Sequence, residues 1–340
     1  MGLAFIISLI AAVIPASLYT VIFYWVDRYE REPVWLVVTA FLWGAVPAII
    51  VSIIGELLLG SPFVNAPGSV AEALVEGAVV APVVEEIVKG VMLVAIFLFR
   101  RQEFDGPLDG LIYGAAVGMG FAMTENLLYF VDAFDAGGYG NLTIVIFLRA
   151  VIFGLNHAFY TGLTGIGLGV ARLYVSRGVR WFWALFGLGA AITAHALHNF
   201  GVSIIEYEPS GLLLSLVVAA LGFIAVILTI LLSWRYERNC IRVELRNEIG
   251  YVLTDAEYQR LTRSWFMPMR YPKRGPRGYP TREARDAAKE EANRMQLYAE
   301  LALGKHRLRL LGDQREEGLV EYVASLRARL TAPETLGTTN

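Results

Sequence analysis

Five charged residues and three of the four histidines sit inside segments of this chain that are apolar enough to lie in lipid. Glu85, Glu86 and Lys89 interrupt APVVEEIVKGVMLVAIFLF, and Glu125 interrupts GLIYGAAVGMGFAMTENLLYF. Arg149 and His157 share IVIFLRAVIFGLNHAFYTGLTGIGLG, while His195 and His198 share WFWALFGLGAAITAHALHNFG. An ionised side chain at the bilayer centre costs about 2.5–3.5 kcal/mol on insertion scales. Facing lipid, the five charged groups would cost roughly 12–17 kcal/mol together. That rivals the net stability of a typical fold, about 5–15 kcal/mol. They must turn inward, pair with one another, or hold something.

The rest of the chain says where inward is. It is 56% hydrophobic, and apolar stretches of the length that crosses a hydrocarbon core recur along it. The expected fold class is all-α: a polytopic transmembrane bundle of about seven spans with a small helical cytoplasmic extension. The spans are predicted at 2–26, 34–59, 70–99, 108–131, 142–171, 181–205 and 211–234. Loop charge orients them. Arg28 and Arg31, Arg100 and Arg101, and Arg172, Arg177 and Arg180 mark the odd loops, whereas 60–69, 132–141 and 206–210 hold no Lys or Arg. The odd loops and the tail are therefore expected in the cytoplasm, with the N-terminus outside. No basic residue precedes Arg28, so the N-terminus reads as an uncleaved first span rather than a signal peptide. Trp25, Trp35, Trp181, Trp183 and Trp234 fall near the cytoplasmic ends, as an interfacial belt does.

Residues 1–234 are expected to form the membrane domain and 235–340 a cytoplasmic tail. The tail holds 20 of the 29 basic residues and 15 of the 31 acidic ones. Residues 268–280, PMRYPKRGPRGYP, read as a linker at the membrane surface, and two amphipathic helices follow it. Cys240 is the single cysteine, which excludes an intrachain disulfide and a cysteine metal site. Asn141-Leu142-Thr143 matches a glycosylation sequon and reads as a chance match. His306, in the tail, shows no partner in the sequence.

Helical spacing groups the buried polar residues. Glu85 and Glu86 lie four and three positions before Lys89, so the lysine reaches both. Two adjacent carboxylates resist double ionisation; Lys89 neutralises one and leaves the other as a general base or a metal ligand. Gly110, Gly114 and Gly118 make a small face suited to close helix packing, which carries Glu125 toward a neighbour. Arg149 and His157 are about two turns apart on one face, which Thr161 and Gly165 continue; Arg149 can snorkel outward or stabilise an anion. His195 lies three before His198 and four before Asn199, a spacing that suits a helical metal site. All fall near one membrane depth, at the midplane or slightly outside it.

Glu85-Glu86-x-x-Lys89, Phe121-x-x-x-Glu125-Asn126, Arg149 to His157 and His195-x-x-His198-Asn199 together resemble the PrsW family of bacterial intramembrane proteases. That family is related to the CAAX prenyl endopeptidases and bacteriocin-processing proteins. Glu125 stands where the prenyl proteases have His, which points to the PrsW branch. The resemblance covers roughly residues 1–235. It implies cleavage of a membrane-anchored substrate such as a single-span anti-sigma factor, near the outer face of the bacterial cytoplasmic membrane, during envelope stress. On this reading Glu85 or Glu86 activates water, tuned by Lys89. Glu125, His157 and His195, with His198 as a substitute, hold a zinc ion. Asn199 or Arg149 stabilises the oxyanion. A metal-free version using a glutamate and His195 stands beside it. The expected partners are the substrate and the lipid bilayer, with no nucleic acid. Two other classes compete. A proton- or divalent-metal-coupled transporter uses the same residue types, although no inverted repeat is found. A scaffold protein would leave the buried charges without a purpose.

Overall fold

The computed structural model describes residues 2–60, 74–205, 207–263, 281–312 and 318–332. The expected linker 268–280 and most of the loop 60–69 lie outside the described residues. By internal packing the chain divides into two units, one of Met1–Val26 with Glu32–Leu231 and one of Asp27–Arg31 with Leu232–Asn340.

Among its described residues, the regular structure of the first unit is all helical. In order it contains α1 (Gly2–Val26), α2 (Val34–Trp43), a π-helical turn (Gly44–Ala48), α3 (Ile49–Gly60), a second π turn (Glu76–Val80) and α4 (Ala81–Phe99). Then come α5 (Pro107–Ile146), a third π turn (Phe147–Ile152), α6 (Asn156–Arg172), α7 (Arg177–Ile204) and most of α8 (Ser210–Glu244). Its packing inverts that of a water-soluble bundle. The buried face of α1 is Ala4, Ser8, Ala12 and Ala16, while Leu3, Ile6, Ile10, Ile14 and Leu18 point outward. Lipid tails are as apolar as leucine, so hydrophobicity does not drive helix association there; small residues that let backbones meet do.

The core of the unit is an antiparallel hairpin made by α5 and α6. A Cβ on Gly110 would lie 2.0 Å from the carbonyl oxygen of Gly165, and one on Gly118 would lie 2.1 Å from that of His157. Gly169 meets Gly106 in the same way, and Gly114 meets Thr161 and Gly162. The partners step by four in opposite directions along the two helices, so the seam is backbone on backbone for about three turns. Only glycine permits such an approach.

Two expectations change here. The loop expected at 132–141 shrinks to Gly137 and Gly138, the non-helical pair at which α5 kinks, with Gly138 at φ +65°. Glycine adopts that conformation at little cost. Asn141, the sequon residue, is used locally: its amide donates to the Ala133 carbonyl across the break at 3.0 Å. The count of seven spans is also not confirmed. Four helical runs among the described residues are long and apolar enough to cross a membrane by length and composition, namely Gly2–Val26, Val34–Leu59, Pro107–Arg172 and Ser210–Glu248. The hairpin counts as one run. The helix α4 is not among them, and Glu85, Glu86 and Lys89 lower its apolar character.

The second unit is a small helical body with its own core. It holds the end of α8, α9 (Asp255–Arg263), α10 (Arg282–Leu311) and α11 (Leu319–Thr331). Tyr29 is buried in it beside Ile241, Leu245, Tyr298 and Leu326, and Arg28 stacks over Trp234 at 3.5 Å. Glu248 is gripped by Lys305 at 2.6 Å and Arg327 at 2.6 Å. Burial alone would raise its pKa, but these two cations hold it below the ordinary carboxylate range. His306 does have a partner: its Nδ1 lies 3.1 Å from Glu244, 62 residues away, beyond any local pattern.

Candidate active site

The hairpin seam, α4 and α7 converge on one buried cluster. From α4, Lys89 donates to Glu85 at 2.8 Å and to Glu86 at 2.9 Å, the contacts its spacing predicts. The ammonium is fully buried and lies 3.8 Å above the Phe121 ring of α5. It also reaches His157 Nδ1 on α6 at 3.3 Å. An ammonium can only donate, so His157 Nδ1 accepts, and its other nitrogen carries the proton. That nitrogen, Nε2, donates to Glu125 at 2.8 Å. From α7, His195 Nδ1 donates to Glu86 at 3.1 Å, and its ring stacks on Tyr160 at 4.7 Å. Thr161 donates to the remaining oxygen of Glu86 at 3.0 Å. Glu86 is therefore held from three sides, whereas Glu85 is bonded through Oε2 to Lys89.

Glu125 is paired in turn. Arg149, on the third π turn, donates to Glu125 at 2.7 Å and to Asn126 at 2.8 Å. The two-glycine reversal makes this pairing possible, because residues near 125 and 149 lie at matching heights on the two arms of the hairpin. Arg149 is thus neither snorkelling nor isolated. A chain Arg149–Glu125–His157 orients the imidazole so that its Nδ1 lone pair faces Glu85, Glu86 and Lys89.

The set of metal-capable atoms that converges is Glu85, Glu86, His157 and His195, all within 4.8 Å of one another. Of the expected ligands, His157 and His195 belong to this set, joined by Glu85 and Glu86, while Glu125 and His198 lie outside it. Glu125 sits behind His157 as its hydrogen-bond partner. His198 faces away: its Nδ1 accepts from Asn156 at 3.3 Å and its ring packs edge-on against Phe153 at 4.7 Å. Asn199, expected near an oxyanion, donates to the Gly77 carbonyl at 2.8 Å. Two residues escape the sequence reading. Tyr160 floors His195, its position beside His157 being the available signal. Glu56, half-buried on α3, is close enough to feel the charges of Glu85, Glu125 and Lys89; it is an intramembrane carboxylate like the others and visible as such.

A cavity of about 330 Å³ opens beside the cluster, lined among others by Glu125, Arg149, His157, His198 and Asn199. The π turns border this region. One carries Gly77 and another carries Arg149, while Ala45 of the first accepts from Thr124 at 2.6 Å. Single π turns widen a helix locally and recur at functional sites.

The model of the PrsW family, described as intramembrane metalloproteases, matches residues 32–231. The chain belongs to the PrsW family. A protein named Protease PrsW from Geobacillus kaustophilus is 33% identical over 180 residues, covering 53% of this chain and 73% of that protein. Proteins of the same name from Bacillus subtilis and Oceanobacillus iheyensis are 29% and 26% identical, each covering at least 56% of this chain and 80% of the relative. No solved structure matches. The PrsW chain described here is a membrane protein and an intramembrane protease, which sets the transport and scaffold alternatives aside. Its matched region contains the whole cluster.

The positioning chain carries a prediction. Glu125→Gln is expected to lower cleavage about 10–100-fold, the usual cost of losing a partner that orients a functional histidine. Steady-state rates in liposomes, alongside a thermal melt showing an unchanged fold, measure it.

Proposed function

We propose that this protein hydrolyses a peptide bond in a single-span membrane protein, such as an anti-sigma factor, in the bacterial cytoplasmic membrane. The observation that carries this is the buried convergence of Glu85, Glu86, His157 and His195 around Lys89 beside a cavity. Burying this much charge is unfavourable for packing alone. The topology we favour keeps the N-terminus outside and the tail in the cytoplasm, on loop charge.

Glu85 is the general base. It is the less constrained carboxylate and can take a proton from water and return it to the leaving amine. Lys89 holds Glu86 and Glu85 in register. The second N–H of the Asn199 amide is available to a carbonyl at the cavity wall, and it supplies the oxyanion contact. Arg149 acts through Glu125 on His157.

One carboxylate, Glu86, with the two imidazoles is a donor set that fits catalytic zinc in chemistry and number. Glu86, His157 and His195 would hold it, which leaves Glu85 free as the base. When bound, zinc supplies a Lewis acid that lowers the pKa of water to about 7. Lys89 favours a second reading: its ammonium already stands among these atoms and compensates the carboxylates, so a glutamate and His195 suffice without metal.

The test is cleavage of a single-span reporter by the purified protein in liposomes, with metal content measured by mass spectrometry. The zinc reading expects about one ion per chain, lost in His195→Ala, and cleavage stopped by a chelator. Cleavage by metal-free protein selects the second reading. No cleavage of any single-span reporter overturns the choice of substrate class.

A further inference from the structure

His198 stands outside the metal-capable set, yet it lines the cavity beside the cluster together with Arg149, His157 and Asn199. Its ring is held from several directions. Asn156 meets Nδ1 at 3.3 Å, and Phe153 packs edge-on against the ring at 4.7 Å. Ser215 of α8 donates to the His198 backbone carbonyl at 3.1 Å. The Asn156 amide nitrogen only donates, so Nδ1 accepts and the proton of the neutral ring sits on Nε2. That N–H has no hydrogen-bond partner among the described residues. The residue is half-buried, so the ring is not sealed off from the cavity it lines.

We propose that the Nε2–H of His198 is a second donor to the carbonyl oxygen of the scissile bond, acting beside the free amide N–H of Asn199. This rests on the reading above that hydrolysis takes place at the cluster and that Asn199 contacts the oxyanion. A donor left without a partner next to a reacting centre calls for one. The protein offers no acceptor on this wall: Glu125 is taken by Arg149 and His157, and the oxygen of Asn126 is taken by Arg149. A substrate carbonyl supplies what is missing. Donors to an oxyanion are effective when they are fixed before charge develops, and Asn156, Phe153 and Ser215 fix this one. A neutral imidazole acts as an electrophile toward a carbonyl by hydrogen bonding alone, so the role requires no proton transfer and no change of charge at His198. His198 and Asn199 are consecutive on α7 and line the same cavity, which gives that oxygen two donors from one helix. Asn156 then has a purpose of its own, as the positioning residue that sets the tautomer of His198.

The experiment uses the full-length protein in liposomes with the single-span reporter. His198→Phe keeps a flat ring against Phe153 and removes the donor; His198→Gln returns an N–H. The expected result for His198→Phe is a kcat lowered about 10²–10³-fold, the usual cost of one oxyanion donor, with KM and metal content as in wild type. His198→Gln recovers part of that loss. A raised KM with kcat intact marks a ground-state contact and overturns the proposal; loss of bound metal returns His198 to the ligands and overturns it too. Wild-type cleavage by His198→Phe also overturns it, and Glu85→Gln run alongside then shows whether the reading of the cluster survives (no cleavage) or falls as well (full cleavage). Nitrogen NMR of protein with isotopically labelled histidine gives a readout independent of substrate. The resonances that vanish in His198→Phe are expected to show a neutral ring protonated at Nε2, and a ring protonated at Nδ1 overturns the donor. If wild type does not cut the reporter, the choice of substrate fails separately, and the NMR still decides the donor.

Discussion

Replacing Glu85 by Gln is expected to lower the rate of peptide cleavage about 10²–10⁴-fold, the span usual for loss of a general base. The amide keeps the shape and still accepts a hydrogen bond from Lys89, so the fold should survive. Charge argues the same way. Lys89 faces two carboxylates at 2.8 and 2.9 Å, and removal of one leaves a neutral buried pair with Glu86. Glu86→Gln differs in kind. It disturbs the contacts from His195 and Thr161 as well as Lys89, so a comparable loss of rate should come with a lower melting temperature. Lys89→Met is the counterpart: two carboxylates are left facing one another, and uncompensated buried charge costs about 3–5 kcal/mol. Rates on the single-span reporter and thermal melts in detergent measure all three. Full cleavage by Glu85→Gln removes Glu85 as the base.

Gly118→Ala should cost more activity than its single methyl group suggests. The new Cβ would lie 2.1 Å from the carbonyl oxygen of His157, so the backbones must part by about 0.9 Å to reach a 3.0 Å contact. That shift moves His157 itself. A displacement near 1 Å can cost about 10²-fold in rate, and overpacking adds about 1–3 kcal/mol of destabilisation. Gly110→Ala is the control. Its clash with Gly165 is as severe, but it lies eight residues, about 12 Å, along the helix from Gly118. It should lower the melting temperature similarly while sparing more of the rate. Equal rates for both variants would mean that the seam does not position His157.

Contacts within one helix were legible from spacing, and contacts between helices were not. The reach of Lys89 to Glu85 and Glu86 follows from helical geometry alone, and the paired motifs carried the family. The glycine repeat at 110, 114 and 118 was visible as a packing face, but its partner was not. The resemblance implies a ligand role for Glu125; in the fold it pairs with Arg149, 24 residues on, brought alongside by a reversal only two glycines long. His198 and His195 are near neighbours on one helix, yet only His195 faces the cluster. Nothing in spacing reveals that Tyr160 stacks on His195 or that three π turns widen the helices there.

The hairpin seam also limits how this sequence can change over time. Each arm advances about 100° per residue, and the seam matches glycines in steps of four on both arms. One inserted residue between Gly118 and Glu125 would swing Glu125 a quarter-turn or more away from His157 while leaving every side chain intact. Point substitutions on the outer faces of the arms are cheap; length changes inside 106–126 or 149–169 are not. Variation in length should therefore collect at the turn around Gly137 and Gly138 and beyond the ends of the hairpin, and a set of related chains aligned over this region would show unbroken blocks on either side of a ragged centre.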